Sequence, residues 1–332
     1  MATRIKKIDY YLPEKIITNE YFEEKFRRWT SNQIEAKLGI KKRHIVDEKE
    51  TALDLAYEVS LKILNGYDKN KIDFILLCTQ SPDYFLPTSA CILQAKLGLR
   101  KNIGAIDYNL GCSGFVYGLA LAKGLIISKI AKNVLLVTSE TYSIHINEKD
   151  ITNRTIFGDG AGAAIIEEDS DGFIDFFDLG TDGTGAYNLI IKNGGAKNPY
   201  DMNAVVHIDS NGNEWTDNNL YMNGTEIFNF TIENVPITVN NVLKKSELSI
   251  NDIDYVIFHQ ANKYMIDYLR KKLHIPHEKF HIEMQTVGNT VSSTIPIALK
   301  MAIEQGKIGI GNTILLCGFG VGYSWGACII KL

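Results

Sequence analysis

Short apolar runs rich in β-branched residues alternate along this chain with longer stretches whose apolar positions recur at helical spacing. The runs lie at residues 72–79, 133–138, 161–167, 254–259, 313–317 and 326–331, with a further apolar strand at 103–110. Being apolar on both faces, they predict buried and largely parallel strands. Helical spacing covers 50–64, 89–97, 113–128, 261–273 and 294–304. Strands and helices in alternation predict an α/β protein. The stretch 194–219, rich in Gly, Asn and Asp, predicts an irregular excursion.

The pattern repeats. Ile72-Asp73-Phe74 is echoed by Ile253-Asp254-Tyr255, Lys96-Leu97-Gly98-Leu99 by Lys272-Leu273-His274-Ile275, and Asn133-Val134-Leu135-Leu136 by Asn312-Thr313-Ile314-Leu315. The echoes keep their order and a displacement of about 180 residues, as expected of two related βαβ-rich halves. They divide the chain into 1–175 and 176–332.

Composition narrows the class. With 332 residues, 45% hydrophobic and 22% charged, the chain can bury a large core. Lys and Arg number 35 against 39 Asp and Glu, a net charge of −4, which disfavours nonspecific binding to nucleic acid or acidic membrane. No apolar run is long enough to span a bilayer, and the opening MATRIKKIDYYLPEK has no apolar signal core. Five scattered cysteines, an odd number, point to free thiols in a reducing cytoplasm.

Cys112 is placed for chemistry. Gly111-Cys112-Ser113-Gly114 joins an apolar strand to a helix that is apolar nearly all round and so should be central and buried. A thiol at a helix N-terminus faces the positive end of the macrodipole, which lowers its pKa and favours a nucleophile. It should be the only cysteine alkylated rapidly near neutral pH; Cys78, Cys91, Cys317 and Cys328 read as structural. A small core cysteine remains the alternative for Cys112. His259 ends a buried strand, where open α/β sheets place ligands, although such a histidine can equally be a hydrogen-bonded core residue. The repeat displacement carries Cys112 onto Asn289, so the two halves would bring a nucleophile and an amide to equivalent junctions. Gly158-Asp159-Gly160-Ala161-Gly162-Ala163 satisfies a loose dinucleotide fingerprint but precedes a strand instead of opening a helix, and is set aside. Gly318-Phe319-Gly320-Val321-Gly322 follows a strand and could present backbone N–H groups to an oxyanion. His274, His277 and His281 are read as a surface connection and not a metal site, because Pro276 interrupts the helix that would align them.

Taken together, Gly111-Cys112-Ser113-Gly114-Phe115, Phe157-Gly158-Asp159-Gly160-Ala161-Gly162, His259-Gln260-Ala261-Asn262, Gly288-Asn289-Thr290 with Ile295-Pro296, and Gly318-Phe319-Gly320-Val321-Gly322 resemble β-ketoacyl-acyl-carrier-protein synthase III of the thiolase superfamily. The resemblance runs from Tyr11-Leu12-Pro13 to Trp325-Gly326. It implies a thiolase fold of five α-β-α-β-α layers, a homodimer, a Cys112, His259, Asn289 triad and an oxyanion hole from the N–H groups of Cys112 and Val321. It further implies a decarboxylative Claisen condensation of an acyl thioester, through acyl-cysteine, with a malonyl thioester, with acyl-carrier protein and coenzyme A thioesters as partners. No metal or redox cofactor is implied.

Departures from the family pattern touch specificity. Against the family's Trp-Ile-Val-Thr-Arg-Thr-Gly-Ile, which clasps the coenzyme A adenine, stands Gln33-Ile34-Glu35-Ala36-Lys37-Leu38-Gly39-Ile40, without the Trp and with Lys37 for Arg. Tyr264 replaces an Arg of the carrier-protein docking position, and Arg154 matches a cofactor-channel Arg. Asn262 and Phe319 belong to the substrate-binding set. Leu86, which by resemblance caps the partner's acyl tunnel, is smaller than the usual Phe and implies room for a longer or more branched acyl group. Two other readings stay open: transfer of the acyl group from Cys112 to an alcohol or amine, and a catalytically silent partner subunit.

Overall fold

The computed structural model describes residues 2–169 and 172–332. Two mixed sheets dominate. The first orders its strands Ala2–Tyr11, Gly160–Asp169, Asn133–Glu140, Phe74–Cys78 and Gly104–Tyr108; the second orders Tyr255–Phe258, Thr313–Gly320, Ser324–Lys331 and Phe173–Thr181. Phe74–Cys78 runs parallel to Asn133–Glu140 as Tyr255–Phe258 does to Thr313–Gly320, and in each sheet the next two pairings are antiparallel. The echo in the sequence is thus an echo in topology, with Gly104–Tyr108 an added edge on the first sheet. A division at 175 cuts Phe173–Thr181, a strand that belongs wholly to the second sheet.

Three apolar clusters bind five layers. Leu53, Val59 and Ile63 of the helix Ala52–Leu64 and Leu93 of Ser89–Lys96 cover the outer face of the first sheet. Between the sheets lie Gly114–Ile127 and Thr294–Glu304, whose Phe115, Leu119 and Leu299 meet Leu136 from one sheet and Ile257 from the other. Gly224–Ser246 and Lys263–Lys272 cover the second sheet's outer face through Val235, Val239 and Leu269. An apolar cluster on each face of the two large sheets is what the two-sided apolar strands demanded. Among the described residues no helix is long and apolar enough to cross a membrane.

Some expectations change. The central helix is not buried all round: Leu121 and Ile127 are exposed. The helix Gly224–Ser246, which contains Pro236, was not foreseen. His281 is fully buried against the Tyr255 hydroxyl, 3.1 Å from Nδ1, so only His274 and His277 belong to a surface connection. The stretch 194–219 is irregular apart from the two-residue strands His207–Ile208 and Glu214–Trp215.

Candidate active site

Cys112 lies at the turn into the central helix, 6% exposed, where Ser113 Oγ is 2.6 Å from Ser324 Oγ of the second sheet. The hairpin between the last two strands crosses directly over this turn. A Cβ on Gly320 would stand 2.8 Å from Cys112 Sγ, and one on Gly318 would stand 2.6 Å from Cys112 O, so glycine at both positions is what lets the strand come so close. That approach brings the N–H of Val321, together with that of Cys112, to the thiol, and both favour its anion.

Those two donors do not decide the thiol's resting state. Burial, reinforced by Glu140, pushes Cys112 up to about 12. The lowering expected from the helix N-terminus is therefore overturned, because desolvation of a sulfur this enclosed outweighs it. The expected order of alkylation changes too: Cys91 is the exposed cysteine, whereas Cys112, Cys78, Cys317 and Cys328 are buried.

His259 follows the strand Tyr255–Phe258 and is 2% exposed. Burial drives its imidazole down to about 3, so it is neutral. Its Nδ1 lies 2.7 Å from Thr294 Oγ1, and the Phe319 ring stands edge-on to it at 5.5 Å. Asn289 is held from both sides. Its N–H donates to Ile156 O at 2.9 Å and its carbonyl accepts from Gly158 N at 3.0 Å. Its Oδ1 accepts from Val291 N at 2.9 Å, which turns Nδ2 into the free-facing donor, with only a long 3.5 Å contact to Ala261 O. Val291 takes φ 55°, a left-handed conformation costly for a β-branched residue, in the segment linking the amide to the histidine's partner.

The glycine stretch set aside as a nucleotide fingerprint has a local purpose. A Cβ on Gly158 would meet Val287 O at 2.6 Å, so its absence admits the Asn289 segment. Asp159 is buried and accepts from Val46 N, at 2.9 Å, and from Ser143 N, at 3.0 Å.

Cys112, His259 and Asn289 line one cavity of 450 Å³, as do Phe319, Asn262 and Lys37. Asn262 also caps the helix Lys263–Lys272, accepting from Met265 N at 2.9 Å. Trp29, which the sequence reading missed, supplies the aromatic face that Gln33 lacks, with Lys37 Nζ 5.2 Å from its ring. Its signal was Thr30-Ser31-Asn32-Gln33, a capping box that starts the helix Ser31–Leu38 and places Trp29 just before the cap. Arg154 does not reach this cavity. Its guanidinium donates to Asn147 O and Ile146 O and lines a separate cleft with Lys15 and Lys25, because the short helix Ile151–Ile156 turns Thr152 and Thr155 to the site instead. Leu86 is also absent from it, 82% exposed beside Phe85 at 91%. No group of three or more potential metal ligands occurs among the described residues.

This geometry has close relatives. The family described as 3-Oxoacyl-[acyl-carrier-protein (ACP)] synthase III matches residues 106–183, and its C-terminal counterpart matches 243–332. A β-ketoacyl-[acyl-carrier-protein] synthase III of Clostridium perfringens is 39% identical over 325 residues, covering 97% of each chain. A crystal structure of a 3-oxoacyl-(acyl-carrier-protein) synthase III superposes with a TM-score of 0.98 at 44% identity over the whole of both chains. The Thermus thermophilus enzyme follows with a TM-score of 0.87 at 33% identity, covering 99% of each chain. Full-length identity at this level, on a fold that gathers Cys, His and Asn into one pocket, makes this chain a member of the β-ketoacyl-acyl-carrier-protein synthase III family.

Proposed function

We propose that the protein is a condensing transferase that joins an acyl thioester to a malonyl thioester, carried on acyl-carrier protein, and releases CO2 and a β-ketoacyl thioester. The observation that carries this reading is the shared cavity of Cys112, His259 and Asn289. In the first half-reaction Cys112 Sγ attacks the donor carbonyl, the donor's C–S bond breaks and the departing thiol takes the proton. The carbonyl oxygen, negative in the transition state, is met by the N–H groups of Cys112 and Val321. In the second, the malonyl C–CO2 bond breaks and its electron pair passes through the enolate to the acyl carbon, expelling Cys112 as thiolate, which takes a proton from solvent. His259 and Asn289 Nδ2 face the enolate oxygen as donors.

Asn289 favours this reading over acyl transfer to an alcohol or amine, since that reaction forms no enolate to stabilise. A silent subunit would have no use for the three groups together. Thioesters and side chains supply every step, so the chemistry calls for no resident metal or redox group. Trp29 and Lys37 at the mouth suit the base and charge of a coenzyme A donor. The exposed Phe85 and Leu86 suit a homodimer in which each chain closes its partner's site. The free thiols suit a cytoplasmic setting.

The decisive experiment separates the half-reactions. Asn289→Ala should still form acyl-Cys112, seen by intact mass, while condensation falls by about 10²–10³-fold. A folded variant that condenses at the parental rate would put simple acyl transfer ahead.

A further inference from the structure

The acyl group on Cys112 has to leave the mouth of the cavity free, because the second thioester enters there. With the carbonyl oxygen turned to the N–H groups of Cys112 and Val321, the chain must run to the far side of Val321. There a second cavity, of 1170 Å³, begins; it shares Leu189 with the first and is lined by Val321, Gln80 and Tyr142. Gln80 stands against the nucleophile turn: a Cβ on Gly111 would lie 2.7 Å from Gln80 Oε1 and 2.5 Å from Val321 Cγ1. Tyr142 is 5% exposed, its ring 5.3 Å from that of Phe157, which lines the Cys112 cavity.

The two side chains are bonded to each other. The Tyr142 hydroxyl donates to Gln80 Oε1, Gln80 Nε2 donates to Asn109 Oδ1 at 2.8 Å, and Gln80 N donates to Glu140 Oε2 at 3.0 Å. Displacing the buried Tyr142 would cost its hydroxyl the Gln80 partner, so the ring resists being pushed aside.

We infer that the Tyr142–Gln80 pair is the stop that sets acyl length in this enzyme, admitting short acyl groups and barring long ones. This rests on the condensing reading above. It also reverses the expectation drawn from Leu86, because the room a smaller residue leaves at the far end is closed off first by Tyr142.

The test follows acyl-Cys112 by intact mass during incubation with acetyl-, butyryl- and hexanoyl-coenzyme A. The parent should take acetyl at least about tenfold faster than hexanoyl. Tyr142→Leu and Gln80→Ser should each raise the hexanoyl-to-acetyl rate ratio by at least about tenfold; Gln80 is only partly buried, so its variant guards against loss of fold at Tyr142. Equal parental rates for acetyl and hexanoyl, or folded variants that keep the parental ratio, overturn the stop alone. Failure of every thioester to modify Cys112 overturns the condensing reading and the stop with it.

Discussion

His259 can stabilise an enolate only if its Nε2 carries the proton, and that depends on what faces Nδ1. Thr294 Oγ1 lies 2.7 Å from Nδ1 and 3.0 Å from Val291 O, and it has one proton to give. Given to Nδ1, it leaves Nε2–H as the donor; given to Val291, it leaves Nε2 bare. Thr294→Val, which keeps the shape but removes the hydroxyl, should therefore spare acyl-Cys112 and reduce condensation by about 10- to 100-fold, while Thr294→Ser should restore it. Acyl-enzyme mass and product formation measured together check this, since a packing defect would depress both. Cys112, His259 and Asn289 were legible in the sequence because each sits where a strand or loop meets a helix. The partners that tune them were not. Thr294, Glu140, Gln80 and Tyr142 act through contacts between distant segments, and Trp29 stands outside the family's own Trp position.

Among elements, the strand Gly104–Tyr108 ends the first sheet with no strand on its outer side among the described residues, and the second sheet has no counterpart to it. Ile106 on it is 43% exposed, and Tyr84, Phe85 and Leu86 nearby in the same half are 62%, 91% and 82% exposed. An open apolar edge is a template for pairing. The expected outcome is a homodimer through this edge, seen by light scattering as twice 37.2 kDa; Ile106→Glu should weaken it at least about tenfold. A monomeric parent would refute it. The buried strands were readable from period alone because both faces are apolar, but the expectation that they run largely parallel is overturned: 161–167 and 326–331 pair only antiparallel, and burial on two faces does not set direction. The helix Gly224–Ser246 was hidden because Pro236 interrupts its pattern and because Thr231 and Thr238 share its buried face with Val235 and Val239, which blurs the apolar stripe.

At the scale of the whole molecule, Glu140 ties the halves. It ends a strand of the first sheet and accepts from Ser292 Oγ, at 2.6 Å, in the segment that opens the second half's central helix. Burial raises its carboxyl to about 8 and that of Asp159 to about 6, above their ordinary 4.5 and 3.8. The folded chain therefore holds protons that the unfolded chain has released, so stability is fully present below the ordinary carboxylate range and declines as pH rises toward about 8. Melting temperature should fall between about pH 4.5 and about pH 8, and Glu140→Gln should flatten that fall; an unchanged slope would remove Glu140 as its source. The matching of four strands between the two sheets carries one more consequence. The first half brings the thiol to the cavity and the second brings the imidazole and the amide, so the pocket is a seam that exists only while the two halves stay docked.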